Sequence, residues 1–475
     1  MKRLSDYRAI HRLGLNSSYI DGRIITGVYM GIMRTSILTA HAINGMMDTA
    51  RTKRDIKRIS KQVNESNVAA RNVMVMPYVN EAQLLLVADG EKDTYICNAT
   101  GNNPALDFIW GENNGVESIV VSGGRQELRA KALVPFIHKA QSEGIPIIAL
   151  SDGNKYLSDS IMGNSVFCEK VGSRDCYYDI FRGVPVEDIA EIIYRTMPEG
   201  TKPAAEALLR ALINIVLLKH GTVNFDLMAR YPLRDYMADL DELKDKCAVN
   251  EDEYYRHSGD YMTGTSEINE VASFIHGIKR QFENVFGKPG MTKGCNVKRT
   301  LNTKGVELFD LGRANNVIAI KLMLNHIQYF QEMGKEFALI VDSIPVGVHE
   351  EFRHLFRYCA FAISEDDFIT SLFGGKIKGE DYFTELMGTV ATTVLFNHHS
   401  GASCQKWSDQ IGKYHKIKIR MSISQIGGLL MNNNSRGIQI DETDEPRVRA
   451  ETISLLPNAM ACVFKQGDTF IVSVK

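Results

Sequence analysis

Ile119-Val-Val-Ser-Gly-Gly-Arg-Gln-Glu-Leu-Arg-Ala130 is a short apolar strand that runs into two glycines and then into helical spacing at Ala130, Leu133, Val134, Ile137 and Ala140. This is the strand–loop–helix setting of a phosphate-binding loop. There, glycines free backbone amides to cradle phosphate, a lysine reaches the terminal phosphates and a hydroxyl holds magnesium. The pattern is G-x-x-x-x-G-K-[ST]. Counted from Gly123, the first glycine is present, while Leu128 stands for the second, Arg129 for the lysine and Ala130 for the hydroxyl. Gly123 and Gly124 also suit a plain tight turn at a helix start. Arginine keeps the charge, but its planar guanidinium does not fit a lysine's slot. Without the second glycine and the hydroxyl, tight binding of a magnesium nucleotide is not expected.

A second segment completes the pattern. Phe337-Ala-Leu-Ile-Val-Asp342 is an apolar strand with an acid at its carboxyl end, the form of a Walker B strand whose aspartate reaches magnesium. A glutamate that orients water normally follows in motor ATPases; here Ser343 follows, a poor base at neutral pH. Glu365-Asp366-Asp367, after a strand at Tyr358–Ile363, offers carboxylates for magnesium. At a strand–helix junction it reads better as an N-cap with acids that favour the helix dipole. Asn397-His398-His399 is not a convincing metal site, because successive residues of an extended segment face opposite ways. G-x-G-x-x-G and H-E-x-x-H are absent, and no nucleophilic triad can be picked out.

At 475 residues, with 44% hydrophobic and 24% charged residues, the chain has room for about two to four domains around a large core. A net charge of −2 gives no global signature of a nucleic-acid binder. The eight cysteines are scattered without C-x-x-C, which points to free core thiols in a reducing compartment. The N-terminus has no h-region. Ile24 to Met47 is long enough to span a bilayer, but Arg34 near its centre costs about 2.5–3.5 kcal/mol on insertion. We read it as an amphipathic helix on a partner or on the membrane surface. Arg51 to Lys61 carries six basic residues against one acid, so the stretch 24–62 is where surface association would occur.

Along the chain, residues 1–70 read as an N-terminal helical arm, and 71–179 as a β lead-in followed by the first α/β part. Within that part, Ser118–Ser122, a helix at Arg129–Ser142 that starts a turn late or bends at Pro135, and the run Gly144–Leu150 make a βαβ unit. Residues 180–288 show only helical periodicity and read as an inserted all-α domain. Residues 289–475 return to α/β, with strands at 305–311, 337–342, 358–363 and 390–396, a helix at Ser408–Tyr414 and a terminal hairpin from Ala459 to Val474. The fold expected is α/β, a RecA-like P-loop NTPase-type sheet, mostly parallel and flanked by helices, with an inserted all-α domain.

In this order of parts the chain resembles the type IV secretion and conjugation coupling proteins, the TraG/TraD-type members of the HerA/FtsK motor superfamily, over about residues 80–475. Ile147–Asn154 is similar to the family strand ending in Asp-Pro-Lys-Gly-Glu, here Ser-Asp-Gly-Asn. Val390–Asn397 with Lys406–Gly412, and Glu451 with Leu455–Phe464, resemble the late strand and helix and the Leu-Pro turn into a hairpin. The departures fall on the active parts: the loop at Gly123, Gly124, Arg129 and Ala130, Ser343 behind Asp342, and Glu365 or Ser364 in place of a sensor glutamine. The resemblance implies ATP with Mg as cofactor, Asp342 as the magnesium residue, and ring assembly as a homo- or hetero-oligomer. It also implies secretion or conjugation proteins and DNA as partners, and a cytoplasmic place, peripheral at the inner membrane face. The losses make a subunit that organises substrate without hydrolysing ATP the first expectation. Two others stay open. One is an active, divergent DNA-translocating ATPase using Arg129 and Asp342; the other is an unrelated α/β enzyme with Asp152, Asp342 and Glu365 converging at the strand carboxyl ends.

Overall fold

The apolar runs become a sheet. A computed structural model describes residues 49–71, 73–75, 96–97, 115–165, 167–172, 176–290, 293–311, 316–345, 347–373, 379–428, 431–458, 460–465 and 467–473. The chain divides into two units. The first takes residues 1–103, 404–455 and 467–471, the second residues 104–403, 456–466 and 472–475. Ile24–Met47, Gln83–Val87 and most of the expected arm at Asp93–Asn98 lie outside the described residues. No helix among the described residues is long and apolar enough to cross a membrane.

The second unit is built on strands β1 (Ile119–Ser122), β2 (Ile147–Ser151), β3 (Cys168–Val171), β4 (Val306–Asp310), β5 (Ala338–Asp342), β6 (Ala360–Glu365), β7 (Thr392–Leu395) and β8 (Met460–Lys465). Their order across the sheet is β8-β7-β1-β6-β5-β2-β4-β3. All neighbours run parallel except β7 and β8. Every residue of β1, β2 and β5 is buried, which is why these strands are apolar throughout instead of alternating: helices cover both faces. This is the mostly parallel sheet expected. Register sets the functional edge, because Ser122 pairs with Glu365, Ser364 with Asp342 and Asp342 with Ser151. The carboxyl ends of four adjacent strands therefore form one row.

Helix α1 (Gln126–Ser142) follows β1 and α2 (Lys155–Asn164) follows β2. α1 starts about a turn before the expected Arg129 and carries Pro135 inside it, so the proline neither delays nor ends the helix. Between Val186 and Phe286 the described elements are helical. The segment Glu251–Gly264, which the sequence reading passed over, is a polar helix whose start was marked by a capping box, Asn250 with Glu253. It stacks Tyr261 on Tyr236, with ring centroids 4.4 Å apart. Two boundaries move: Tyr358 ends a helix and Glu365 closes β6, and the late helix is Gly401–Ile411 instead of Ser408–Tyr414.

In the first unit the helix Thr49–Arg71 buries Val63 against Ile417, with Ile59 and Ile440 beside them. Asn67 clamps the Ile417 backbone at both its N–H and its carbonyl, each at 2.9 Å. Lys57, Arg58 and Lys61 stay exposed on the helix's outer face. Ile417 belongs to a 16-pair antiparallel hairpin, Lys413–Gly428 with Met431–Pro446, that the sequence reading did not foresee. Its second arm opens Asn432-Asn433-Asn434-Ser435, which reads as a loop.

The cysteines need a correction. Cys176 and Cys295 are joined as a disulfide with Cα atoms 6.1 Å apart, against the expectation of free thiols throughout. Short parallel strands, Cys176–Tyr178 and Lys293–Cys295, bring together residues 119 apart in sequence, and spacing alone does not show that.

On β4, Glu307 is fully buried and pairs in register with Glu169 of β3, which is held by Arg299 at 2.8 Å and Lys293 at 3.3 Å. Burial, then the charge on Glu169, pushes the Glu307 carboxyl up to about 8. Its folded pKa therefore lies above the unfolded one. Stability is fully present below about pH 4.5 and is lost as pH rises towards 8. We expect the urea midpoint to fall between pH 5 and pH 9 by the equivalent of a few kcal/mol, roughly, and Glu307→Gln to flatten that fall. A Gln variant with the same pH slope as the parent would rule this carboxyl out as its source.

Candidate functional site

β1 ends at Ser122 and α1 begins at Gln126, so the phosphate-loop region is a turn of three residues. Gly123 and Gly124 adopt left-handed backbone, with φ +84° and +68°. Their amides face neighbouring loops: Gly123 N–H donates to the Glu365 carbonyl and Gly124 N–H to the Asn397 carbonyl, both at 3.0 Å. The amides of Leu128 and Arg129 are taken by the Arg125 carbonyl. A Cβ on Gly123 would lie 2.6 Å from His398 Cε1, and one on Gly124 would lie 2.6 Å from Phe396 Cβ. These glycines let the segment after β7 close onto the turn. Glu127 in the first turn of α1 further disfavours an anion there.

Arg129 points back beneath the turn and is 1% exposed. Its guanidinium donates to the carbonyls of Gly124 at 2.9 Å and Gly123 at 3.3 Å and to Ser364 Oγ at 3.2 Å, and it pairs with Asp366. Ser364 in turn donates to Asp342 Oδ1 at 2.7 Å. A buried chain therefore runs Arg129–Ser364–Asp342 between the two motif strands, across the intervening β6. Asp342 is 2% exposed, and burial pushes its pKa up against the Ser364 hydroxyl and the Arg129 charge. Ser343 takes a left-handed φ of +62°, unusual for a residue with a Cβ, and its N–H donates to the Ser364 carbonyl at 2.9 Å.

The three acids after β6 go three ways. Glu365 accepts from the Ile344 N–H at 2.5 Å and from Ser371 at 3.3 Å, and burial, reinforced by Asp342, raises it to about 8. Asp366 holds Arg129. Asp367 caps the next helix through the Thr370 N–H at 3.1 Å and takes the Ser403 hydroxyl at 2.7 Å. The N-cap reading holds, and no group of three metal-ligating side chains is assembled among the described residues. Of the strand-end carboxylates, Asp342 and Glu365 come together, and the charge of the half-buried Asp152 raises Asp342 further. Ala130 is buried in α1 and brings no hydroxyl.

One pair escaped the sequence reading. Ser122 Oγ lies 2.8 Å from His398 Nε2, while His398 Nδ1 sits 2.8 Å from the Phe396 carbonyl. The carbonyl fixes the proton on Nδ1, so Nε2 accepts the serine proton, and burial lowers the imidazole pKa in keeping with the neutral form. Ser122 also accepts the Phe368 N–H at 3.1 Å and is fully buried. No substrate reaches it, so the pair ties β1, β6 and β7 together. His399 is exposed, whereas His398 is buried. The partners are 276 residues apart, and no local signal marks them.

The residues present do not fit a magnesium nucleotide. The amides of Gly123 and Gly124 are committed, the guanidinium occupies the inside of the turn, and Asp342 is engaged by Ser364. The body around them is a mostly parallel sheet with helices between its strands. It is similar to bacterial conjugative coupling proteins. Unbound TrwB matches with TM-score 0.49 and 12% identity over 78% of this chain and 90% of its own. TrwB in complex with ADP and Mg2+ matches with TM-score 0.45 and 12% identity, over 75% and 84%. VirB4 of Thermoanaerobacter pseudethanolicus matches with TM-score 0.39 and 8% identity, over 77% and 92%. No protein-family model and no curated protein sequence matches the chain.

Proposed function

We propose that this chain is a coupling-protein-like subunit of a conjugative transfer or type IV secretion machine that has given up ATP hydrolysis. It organises DNA or protein substrate beside a partner that supplies the energy. The observation that carries the reading is Arg129, folded under the Gly123–Gly124 turn with its charge spent on Gly123, Gly124, Ser364 and Asp366. A motor needs amides, a cation and a magnesium-bearing acid aimed at one phosphate chain. Here each is aimed at another part of the protein. Assembly with copies of itself or with other secretion subunits, docking of substrate through the helices of 180–288, and a position at the inner membrane face through 24–62 belong to the same proposal.

Two measurements test it. Titration calorimetry with a magnesium salt of a non-hydrolysable ATP analogue, to about 1 mM, should give no saturable heat; any site stronger than about −4 kcal/mol would register. Micromolar binding that Asp342→Ala abolishes would instead overturn this reading and favour the active, divergent ATPase. Light scattering with added single-stranded DNA or secretion subunits tests the remainder. A monomer that binds neither removes the secretion reading.

A further inference from the structure

The helical insertion joins the α/β body through two crossings, residues 179–185 going out and the segment that begins at 287–290 coming back. Immediately beside these crossings lie the strands Cys176–Tyr178 and Lys293–Cys295, which pair in parallel. The Cys176–Cys295 disulfide bonds one neck strand to the other and closes a loop that holds all the helices from Val186 to Phe286. The rest of the neck is held by exchangeable contacts. Asp179 N–H donates to the Cys295 carbonyl at 2.9 Å, Asn296 Nδ2 donates to the Arg182 carbonyl at 2.7 Å, and Lys293 pairs with Glu169 on β3. Beneath it Tyr178 is fully packed among Phe282, Phe286 and Phe309, with its hydroxyl 2.6 Å from His326 Nδ1. That cluster spans neck, insertion and body and does not depend on the sulfurs.

We propose that Cys176 and Cys295 form a reversible redox clasp that fixes the helical insertion to the α/β body when oxidised and frees the neck to flex when reduced. The Cα separation of 6.1 Å lies within the range that a disulfide spans. The oxidant class is a small-molecule disulfide such as oxidised glutathione. One neck cysteine, as thiolate, attacks it and expels one small thiol; the second then attacks the mixed disulfide and expels the other. Two electrons pass from the neck thiols to the small disulfide, which leaves as two thiols carrying the two protons. Cys176 is 6% and Cys295 1% exposed, so exchange happens when the neck opens, which couples redox state to neck motion. Neighbouring sulfur does not compete, because burial raises the Cys168 thiol to about 11 and it stays protonated.

The test uses the full chain, equilibrated with reduced or with oxidised glutathione. After denaturing alkylation, the oxidised sample should carry six labels, the eight cysteines less the bonded pair, and yield a Cys176–Cys295 cross-linked peptide. Hydrogen exchange over 179–185 and 287–290 should be about tenfold faster in the reduced sample, while the circular dichroism of both stays native. Eight labels in oxidised protein, or equal neck exchange in the two samples, overturns the clasp. The double variant Cys176→Ser/Cys295→Ser should match the reduced protein in both buffers. A response to glutathione that survives in it assigns the effect to another cysteine and overturns the proposal too.

Discussion

Replacing Arg129 with alanine should cost about 3–5 kcal/mol of folding stability, the range for removing one partner of a buried charged network. Ser364 Oγ would lose its donor, the Gly124 carbonyl its partner, and the buried Asp342 the positive charge that favours its ionised form. The urea midpoint should drop at unchanged m-value, the sign of lost stability instead of an altered denatured state. Arg129→Lys should recover only part of the loss, because an ammonium is a point donor where the guanidinium is a planar fork meeting several acceptors at once. A nucleotide-gripping residue would behave the other way, with affinity lost and stability nearly untouched. An alanine variant within about 0.5 kcal/mol of the parent, the scale of surface changes, would remove Arg129 as the internal plug.

Gly124→Ala should be nearly as damaging, at about 2–5 kcal/mol. The left-handed φ of +68° costs about 1–2 kcal/mol with a Cβ. Overpacking against Phe396, whose Cβ and Cγ would stand 2.6 and 2.9 Å away, adds about 1–3 kcal/mol. Gly153→Ala supplies the control, because its φ of +70° is the same but no atom lies within 4 Å of the added carbon. Thermal melts of the pair separate packing from backbone strain. Equal melting shifts would show that the segment after β7 gives way and that Gly124 is not there for close approach.

The strands were readable because burial on both faces writes a plain signal. Ile119–Val121, Ile147–Leu150 and Ala338–Val341 are apolar without alternation, and each is a sheet strand. The helical stretch was readable from the 3.6-residue spacing of segments such as Ile268–Phe286. The hairpin at 413–446 was not, since a two-stranded arm needs no long apolar run and its second half carries three asparagines directly after Met431. The site was half readable. Motif counting found the altered positions Leu128, Arg129, Ala130 and Ser343, but could not show where the arginine turns. That depends on Ser364 and Asp366, over 200 residues away, and on a sheet register that sets Ser364 opposite Asp342. The Ser122–His398 pair and the Cys176–Cys295 bond are long-range in the same way and left no local trace.

The three-residue turn between Ser122 and Gln126 has a consequence for any redesign. Glycine, lysine and serine placed at 128–130 would sit inside a formed helix, with the amides of Leu128 and Arg129 already bonded to Arg125. Exchanging side chains leaves the backbone path as it is. A phosphate cradle here would require inserted residues and the simultaneous retreat of Phe396 and His398 from Gly124 and Gly123. The geometry works as a latch that single substitutions around the turn do not open.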